Sequence, residues 1–230
     1  MTLRQLLLFT AVTVPACGLC ILFLDQPLAL FIRANFGWLA PFFGELTSAA
    51  DAVHDVLMTH FVGIPIVFLL LGAAFVVGRY VLRRPQATLF LILLLTHEFS
   101  MVTAKVLKGV VHRLRPEVLF DAGYAGTGLW QSGPHNDSFP STHTAIYFSL
   151  FWPLAVAFPR WQKPLLVLPM LIGLGRMVLG AHYLSDVWAS IWLVVAFTFL
   201  FGLLGVPRNV PEAPVLQQGP AEEEMPVLQK

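Results

Sequence analysis

The feature that most constrains this chain is a series of six long apolar stretches separated by more polar segments of different lengths. Each stretch is close to the length of about 20 residues that an α-helix needs to cross the hydrocarbon core of a bilayer. Inside a bilayer the backbone must satisfy its own hydrogen bonds, which favours helices. The sequence therefore predicts an all-α fold, a bundle of six transmembrane helices, over residues 5–24, 57–78, 86–107, 142–159, 164–179 and 185–205.

The composition also indicates a membrane protein. Hydrophobic residues make up 57% of the 230 residues and charged residues only 12%, with a mean hydropathy of +0.75, whereas soluble domains carry about 25% charged residues. The formal net charge is +1, and nothing in it points to nucleic acid. Cys17 and Cys20 lie in the first apolar stretch. They could not easily form a bridge within one helical turn, so they do not indicate a redox compartment.

Residues 26–50 form a mixed segment in which aromatic residues lie among Pro and Gly. We interpret it as an interfacial helix or a re-entrant segment after the first helix, with an extramembrane loop as the alternative. The first apolar run follows Met1 to Arg4 and resembles a signal peptide. No small-residue cleavage site followed by a polar start is visible, so we expect an uncleaved first helix.

The distribution of basic residues predicts the orientation of the bundle. If six helices alternate, one side of the membrane carries seven basic residues, and this side is expected to be cytoplasmic. Both termini then lie in the cytoplasm, and the loop 108–140 faces the periplasm or exterior of a bacterial inner membrane. The seven residues are Arg4, Arg79, Arg83, Arg84, Arg160, Lys163 and Arg208.

The C-terminal segment 206–230 differs from the rest of the chain. It is rich in Pro, Gln and Glu and lacks aromatic residues, a composition typical of disorder. We therefore predict a membrane-embedded domain over 1–205 and a disordered cytoplasmic tail over 206–230. A short repeat, Glu212 to Gln218 and Glu224 to Lys230, is interpreted as part of a solvated tail, with a docking motif as the alternative.

Three clusters of polar residues lie at the predicted outer face, and the first two are suited to anion binding. Lys108 is followed after six residues by Arg115-Pro116. Arginine binds phosphate oxygens in pairs, and lysine adds a point charge. Arg113 is interpreted as a side chain that extends to the interface. The second cluster, 140–143, opens an apolar stretch as Pro-Ser-Thr-His, either as a simple helix cap or as an anion site at a helix N-terminus.

The third cluster carries the chemistry of a nucleophile. Arg176 is followed after five residues by His182 and after three more by Asp186. Asp186 can accept a hydrogen bond from one imidazole nitrogen and leave the other more nucleophilic; a helix cap at Ser185-Asp186 is the alternative. His143 is either a functional residue or an ordinary structural histidine. Together the clusters predict a phosphate pocket with a nucleophile and an acid.

These clusters resemble the three signature motifs of the type-2 phosphatidic acid phosphatase superfamily. Its pattern is Lys-x6-Arg-Pro, Pro-Ser-Gly-His and Ser-Arg-x5-His-x3-Asp, and the order and spacing agree here. Two positions depart from the pattern: Thr142 replaces the motif glycine, and Gly175 replaces the motif serine. The Thr142 amide survives unless the glycine is needed for positive φ, whereas Gly175 loses a hydroxyl. Neither change removes a reacting group.

The resemblance implies a role for each motif residue. His182 would attack phosphorus and form a phosphohistidine, Asp186 would orient His182, and His143 would protonate the leaving oxygen. The phosphoryl oxygens would be held by cations, a hydroxyl and an amide that stabilise charge in the transition state. These phosphate-binding residues would be Lys108, Arg115, Ser141, Thr142 and Arg176. The resemblance implies no cofactor, and no metal-ligand spacing is evident.

Two further polar residues lie within the third apolar stretch. Glu98 and Lys105 are seven positions apart on one face of the predicted helix, and an intramembrane pair of this kind usually faces the bundle interior. We predict a structural contact between them, with a role toward a substrate headgroup or a proton as the alternative.

The sequence thus favours an integral-membrane phosphatase whose substrate and surroundings are lipids. Phosphatidylglycerol phosphate, phosphatidic acid, undecaprenyl diphosphate and lipid A are all compatible substrates. Phosphoryl transfer to a second lipid is the alternative activity. An anion or lipid transporter is disfavoured, because no inverted repeat is evident and His182 and Asp186 would lack a purpose. A soluble haloperoxidase, which resembles this superfamily in its pocket, is excluded by the hydropathy.

Overall fold

The computed structural model describes residues 2–61 and 64–205, so the predicted tail 206–230 lies outside the described residues. The described chain is mostly helical, as predicted. Its α-helices are α1 (Leu3–Leu19), α2 (Asp25–Phe36), α3 (Ala40–Leu57), α4 (Ile66–Val76), α5 (Thr88–Val111), α6 (Pro116–Asp121), α7 (Thr142–Ala157), α8 (Gln162–Val178) and α9 (Leu184–Gly202).

Three helical segments in the described chain are long and apolar enough to cross a membrane. They are Leu3–Leu57, Pro85–Asp121 and Leu184–Gly202. The first joins α1 to α3 through a π-helical turn and a 3₁₀ turn. Ile66–Val81 is a shorter apolar helix, and α7 and α8 have 16 and 17 residues. Helix length and composition therefore identify three membrane spans, whereas the sequence predicted six.

The second predicted helix, 57–78, begins later than the hydropathy suggested. Residues His60–Phe61 pair with Ile64–Pro65 as two short antiparallel strands, β1 and β2, and α4 starts only at Ile66. Pro65 explains the boundary, because proline lacks a backbone N–H and favours the start of a helix over its interior. The prediction was wrong by about nine residues at its N-terminal end.

The mixed segment 26–50 is helical, so the loop alternative is wrong. The helix α3 buries Phe43 and Thr47, whereas Phe42, Val53 and Val56 on its outer side are more than half exposed. A helix with one face in the protein and a second apolar face left uncovered suits a position at lipid. This geometry is compatible with the predicted interfacial helix.

The helix α7 lies at the centre of the bundle and packs against α5, α8 and α9. The buried core of the bundle contains Ile146 and Tyr147 of α7 and Ile172 of α8. Ala145 of α7 and Ala104 of α5 are fully buried, and small side chains of this kind allow helix backbones to approach closely. The close packing fixes the start of α7 relative to the ends of α5 and α8.

Among the polar residues of α5, His97 has partners inside the bundle. His97 is buried, its Nδ1 lies 2.9 Å from the Ser149 hydroxyl of α7, and its ring packs against His54 of α3. Within the described residues no ion pair joins Glu98 to Lys105, and Lys105 is exposed. The predicted contact is therefore absent. Seven residues separate the two side chains by about 10 Å along the helix, and Lys105 lies on the outside.

The loop between α5 and α7 is tied to neighbouring elements by backbone hydrogen bonds. The Ser138 amide donates to the Arg113 carbonyl at 2.9 Å, and the Glu117 amide of α6 donates to the Gly180 carbonyl at 2.9 Å. Gly180 has φ +68°, and a Cβ there would lie 2.8 Å from the Phe120 ring, so only glycine fits this turn. These bonds bring the loop onto the α8–α9 turn and so join the three motifs.

Candidate active site

His182 lies in the turn between α8 and α9, and its ring is buried. Its Nδ1 lies 2.6 Å from the Ser138 carbonyl oxygen, whereas the nearest oxygen of Asp186 is 3.8 Å away. The predicted hydrogen bond to Asp186 is therefore replaced by one to a backbone carbonyl. A carbonyl only accepts hydrogen bonds, so Nδ1 carries the proton and Nε2 keeps the lone pair of a nucleophile.

Burial sets the protonation state of His182. Removing the ring from water lowers its pKa from 6.5 to about 4, and the charges of Lys108 and Arg176 act in the same direction. The Asp186 carboxylate acts in the opposite direction. At neutral pH the ring is therefore uncharged, with its one proton on Nδ1, and this is the state whose Nε2 can attack phosphorus.

Asp186 is the centre of a buried polar network. Its Oδ1 accepts a hydrogen bond from Arg113 at 2.6 Å. Its Oδ2 accepts one from the Ser138 hydroxyl at 2.6 Å and one from the Tyr183 amide at 2.8 Å. The same residue, Ser138, thus holds Asp186 with its hydroxyl and His182 with its carbonyl. Asp186 acts on His182 through its charge and through this shared residue.

Arg113 is 1% exposed, so the interpretation that it extends to the interface is wrong. Its second guanidinium nitrogen donates to Asp25 at 2.7 Å, and its guanidinium carbon lies 4.3 Å from the centroid of the Tyr183 ring. Asp25 also accepts hydrogen bonds from the amide and hydroxyl of Ser185. A buried cation requires this pairing, because an unpaired charge in the interior is costly.

His143 occupies the first turn of α7, and a carboxylate from α3 holds it. Its Nε2 lies 3.1 Å from Oδ2 of Asp51, and the Tyr147 hydroxyl donates to Oδ1 of Asp51 at 2.6 Å. The interpretation of His143 as an ordinary core histidine does not fit a partly exposed ring paired with a carboxylate. The charges of Lys108 and Arg176 act on the same ring, which places His143 beside the cations of the other two motifs.

Two of the predicted phosphate-binding cations are paired with Asp137. The Arg115 guanidinium donates to Asp137 at 2.8 Å, and Lys108 contacts both the backbone carbonyl and the carboxylate of Asp137. Burial by itself would raise the pKa of the Asp137 carboxyl. The Arg115 hydrogen bond and the nearby cations outweigh it and hold that pKa below 3.8. The Asp137 carboxylate thus already pairs with two of the cations that are predicted to bind phosphate.

Arg176 near the end of α8 completes the set of cations. Its carbonyl accepts the Ala181 and His182 amides at 3.0 and 3.2 Å, and its charge acts on Arg115 and His182. Its Nε is buried and has no hydrogen-bond partner among the described residues. A buried donor of this kind is costly until something accepts from it, and a phosphoryl oxygen is a suitable acceptor.

Residues 87–209 match the model of the PAP2 superfamily. The chain belongs to this family. The resemblance predicted from the three motifs is thereby confirmed, since all three lie within the matched residues. Membership of the PAP2 superfamily and the apolar helices together identify the chain as a membrane protein.

Two curated relatives of this PAP2 chain are named lipid A 1-phosphatase. The one from Rhizobium johnstonii (strain DSM 114642 / LMG 32736 / 3841) is 33% identical over 112 residues, which are 49% of this chain and 44% of the relative. The one from Rhizobium etli (strain ATCC 51251 / DSM 11541 / JCM 21823 / NBRC 15573 / CFN 42) is 33% identical over 106 residues, 46% of this chain and 44% of the relative. The chain thus matches less than half the length of either relative. No solved structure matches it.

The two departures from the PAP2 motifs have structural explanations. Thr142 is the first residue of α7 and follows the N-cap Ser141, whose hydroxyl accepts from the Thr144 amide at 3.4 Å. Thr142 is not among the residues with positive φ, so its position does not require glycine. At Gly175 a Cβ would lie 2.7 Å from the Phe43 ring of α3, so the motif serine would displace that ring.

Sequence reasoning did not identify several residues that hold the PAP2 motif residues in place. They share one property: each is remote in sequence from its partner. A charged residue in apolar surroundings is costly without a partner, and this could have indicated that Asp25 has a partner, though not which one. The missed residues are Asp25, Asp51, Arg113, Asp137, Ser138 and Tyr147. Within residues 2–61 and 64–205, no group of three or more His, Cys, Asp or Glu could hold a metal ion.

Proposed function

We propose that this PAP2 member is an integral-membrane lipid phosphatase that works through a phosphohistidine at His182. The observation that carries the proposal is the His182 ring, whose Nδ1 is bonded to the Ser138 carbonyl. This bond leaves Nε2 as the nucleophilic nitrogen beside three cations. A resting histidine with one nitrogen fixed and the other unprotonated is suited to attack on phosphorus.

The reaction would have two steps. Nε2 of His182 forms a bond to phosphorus while the bond from phosphorus to the lipid oxygen breaks, and His143 gives its proton to that oxygen. A water molecule then gives a proton back to His143 and attacks the phosphohistidine, which releases inorganic phosphate and restores neutral His182. Each proton that His143 donates is returned in the second step.

Charge stabilisation would come from the protein itself. Lys108, Arg115 and Arg176 supply three positive charges, and Ser141 and the Thr142 amide lie at the N-terminus of α7, where backbone dipoles favour an anion. Charge that develops on the phosphoryl oxygens would be stabilised by these fixed groups. We therefore propose that the reaction needs no metal ion.

The substrate would be a phosphomonoester or diphosphate of a membrane lipid. Because two similar proteins are named lipid A 1-phosphatase, lipid A with a 1-phosphate is the first substrate to test. Phosphatidylglycerol phosphate, phosphatidic acid and undecaprenyl diphosphate share the same reacting group. Discrimination among them would lie in residues 25–56 and 117–139, which surround the motifs.

The proposed placement of the chain in the membrane rests on its apolar helices and on the distribution of its basic residues. We propose six spans within a 1–205 domain, in which the short helices α4, α7 and α8 join the three long segments. The site would face the periplasm, and both termini would be cytoplasmic. The positive-inside pattern of the turns supports this orientation, as does the position of the motifs at one end of α5, α7 and α8. A lipid headgroup at the membrane surface could then reach the site from the side.

The decisive test is release of inorganic phosphate from a panel of these four lipids by the purified protein. Hydrolysis of at least one lipid, lost in His182→Ala, is the expected result. Transfer of labelled phosphate to a second lipid would instead indicate a phosphotransferase. Movement of a lipid or anion across vesicles without cleavage would indicate a transporter.

Sidedness is tested by cysteine labelling in a background that lacks Cys17 and Cys20. Ala125 in the α6–α7 loop and Arg84 in the turn before α5 are both exposed. A cysteine at position 125 should react with an impermeant maleimide in spheroplasts, and one at position 84 only after lysis. The reverse pattern would show that the topology is inverted.

A further inference from the structure

The carboxylate of Asp51 joins two residues of α7 that are one helical turn apart. Its Oδ2 lies 3.1 Å from Nε2 of His143, and its Oδ1 accepts the Tyr147 hydroxyl at 2.6 Å. The Tyr147 side chain belongs to the buried core, so it provides a fixed anchor. One oxygen is thus held by the core while the other faces the histidine, which sets the direction of the carboxylate and of the imidazole.

Close packing of α3 on α8 brings Asp51 to this position. Phe43, two helical turns before Asp51, lies against Gly175, where a Cβ would approach its ring to 2.7 Å and its own Cβ to 3.2 Å. A side chain at position 175 would therefore force Phe43 to move. Gly175 thus leaves room for the Phe43 ring, and the same packing of α3 on α8 places Asp51 beside His143.

The electrostatic surroundings explain why His143 needs a carboxylate. The charged groups that act on its ring are Arg176 of α8, Lys108 of α5 and Asp51 of α3. Two cations repel an imidazolium, and a general acid must carry its proton before the leaving group departs. Asp51 supplies the opposing charge. Without Asp51, the cations that bind phosphate would also favour the neutral form of the proton donor.

We propose that Asp51 is a positioning residue that fixes the His143 ring through its Nε2 and directs its Nδ1 toward the leaving oxygen. This inference rests on the proposed phosphatase function. Nε2 keeps its proton and donates it to Asp51 throughout, while the proton on Nδ1 passes to the lipid oxygen as the bond to phosphorus breaks. The attacking water returns a proton to Nδ1 in the second step. The helix α3, outside the residues that match the family, would thus complete the site.

The first experiment compares leaving groups in Asp51→Asn, with the full chain purified in mixed micelles. The two substrates are a lipid phosphate, whose alkoxide is a strong base, and a nitrophenyl phosphate with an alkyl chain, whose phenolate is a weak base. Loss of acid catalysis costs about 10²–10⁴-fold, so kcat/KM for the lipid, which reports the step that releases the leaving group and excludes the shared hydrolysis of the phosphohistidine, should fall at least about 100-fold. For the aryl phosphate, kcat/KM should fall less than about threefold, because a weakly basic leaving group needs no proton.

The control is Asp55→Asn, one turn further along α3, where the side chain is 81% exposed; both rates should stay unchanged. Equal losses on both substrates in Asp51→Asn would overturn the inference, because a structural defect does not depend on the leaving group. Unchanged lipid turnover would also overturn it. Failure of the proposed function itself is a separate result: the wild-type protein would release phosphate from neither substrate.

The second experiment uses the lipid substrate alone. Gly175→Ser restores the family's motif residue, yet it should lower kcat about tenfold or more by displacing Phe43 and with it Asp51. Adding Phe43→Ala removes the obstructing ring, and the double variant should recover part of the lost turnover at equal amounts of folded protein. Unchanged or increased activity in Gly175→Ser, or no recovery in the double variant, would show that α3 does not control the proton donor.

Discussion

The N-terminal helices α1–α3 and the family-matched region 87–209 contribute different things to the site. All the motif residues lie in the matched region, including the nucleophile and the cations. The N-terminal helices contribute two carboxylates, Asp25 and Asp51, which contact Arg113 and His143. One region thus carries the groups proposed to react, and the other holds them in position.

The two N-terminal carboxylates themselves differ in their surroundings. Asp25 is 1% exposed and lies with Arg113 and Ser185 in the interior, whereas the Asp51 side chain is 35% exposed at the mouth of the site. A buried ion pair is sensitive to loss of either partner, whereas a partly exposed pair contributes little to folding. The comparison therefore predicts that loss of Asp25 lowers stability, whereas loss of Asp51 acts on the proposed proton donor.

The largest expected effect falls on the reacting residues of the matched region. His182→Ala should leave no detectable phosphate release, because no bond to phosphorus can form, and His143→Ala should lose about 10²–10⁴-fold as a general acid. Turnover is measured with the lipid that the wild type hydrolyses best, at equal amounts of folded protein. His60→Ala, exposed in the β1–β2 hairpin, serves as the control. Near-normal turnover in either motif variant would remove that residue from the mechanism.

The next effect tests whether Arg113 joins the two regions. Arg113→Met leaves Asp25 and Asp186 without their shared cation, which should destabilise the protein by about 3–5 kcal/mol. Unfolding in detergent, followed by intrinsic fluorescence, measures the change. Arg79→Met replaces an exposed arginine and should change stability by less than about 1 kcal/mol. Similar stability for both variants would mean that the Arg113 network does not join α2 to α9.

A smaller effect is expected in the pH at which His182 gains a proton. Its pKa of about 4 lies below the ordinary value of 6.5, so the ring stays neutral as the pH falls from 7 to 5 and gains its proton only near pH 4. Magnetic resonance of protein with ¹⁵N-labelled histidine rings measures this titration, and the signal missing from His182→Gln identifies the residue. A midpoint near 6.5 would show that the ring is accessible to water.

The smallest expected effect concerns Asp137, which belongs to the matched region and is expected to compete with the phosphoryl group of the substrate. Its carboxylate occupies Arg115 and Lys108, so a phosphoryl group must displace it. A partly exposed pair contributes up to about 1 kcal/mol. Asp137→Asn should therefore lower the inhibition constant of inorganic phosphate about two- to fivefold, with the exposed Asp121→Asn as control. Weaker phosphate inhibition would mean that Asp137 positions Arg115 instead of competing for it.

Much of the helical fold and the convergence of the motifs could be predicted because both depend on local patterns. Five of the six apolar stretches correspond to helices within a few residues of the predicted ends. The start of α4 was missed because hydropathy is insensitive to the break at Pro65. The motif residues were recognised because their spacing lies within short segments.

The supporting residues could not be predicted because their partners are distant in sequence. Asp25 and Arg113 are 88 positions apart, and Asp51 and His143 are 92 positions apart. No local pattern encodes such pairs. The hydrogen bond expected from His182 to Asp186 was wrong for a related reason: the acceptor is the backbone carbonyl of Ser138, and side-chain identity gives no indication of it.

The uncovered outer face of α3 has a practical consequence. Phe42, Val53 and Val56 are 56%, 64% and 70% exposed, and the same helix delivers Asp51 from its other side. Lateral pressure from the surrounding lipids would therefore help to set how closely α3 rests on α8. Nanodiscs of defined lipid and micelles of short-chain detergent should then give different turnover for the same folded protein. The choice of solubilising medium is therefore expected to act on His143, the proposed proton donor, through α3.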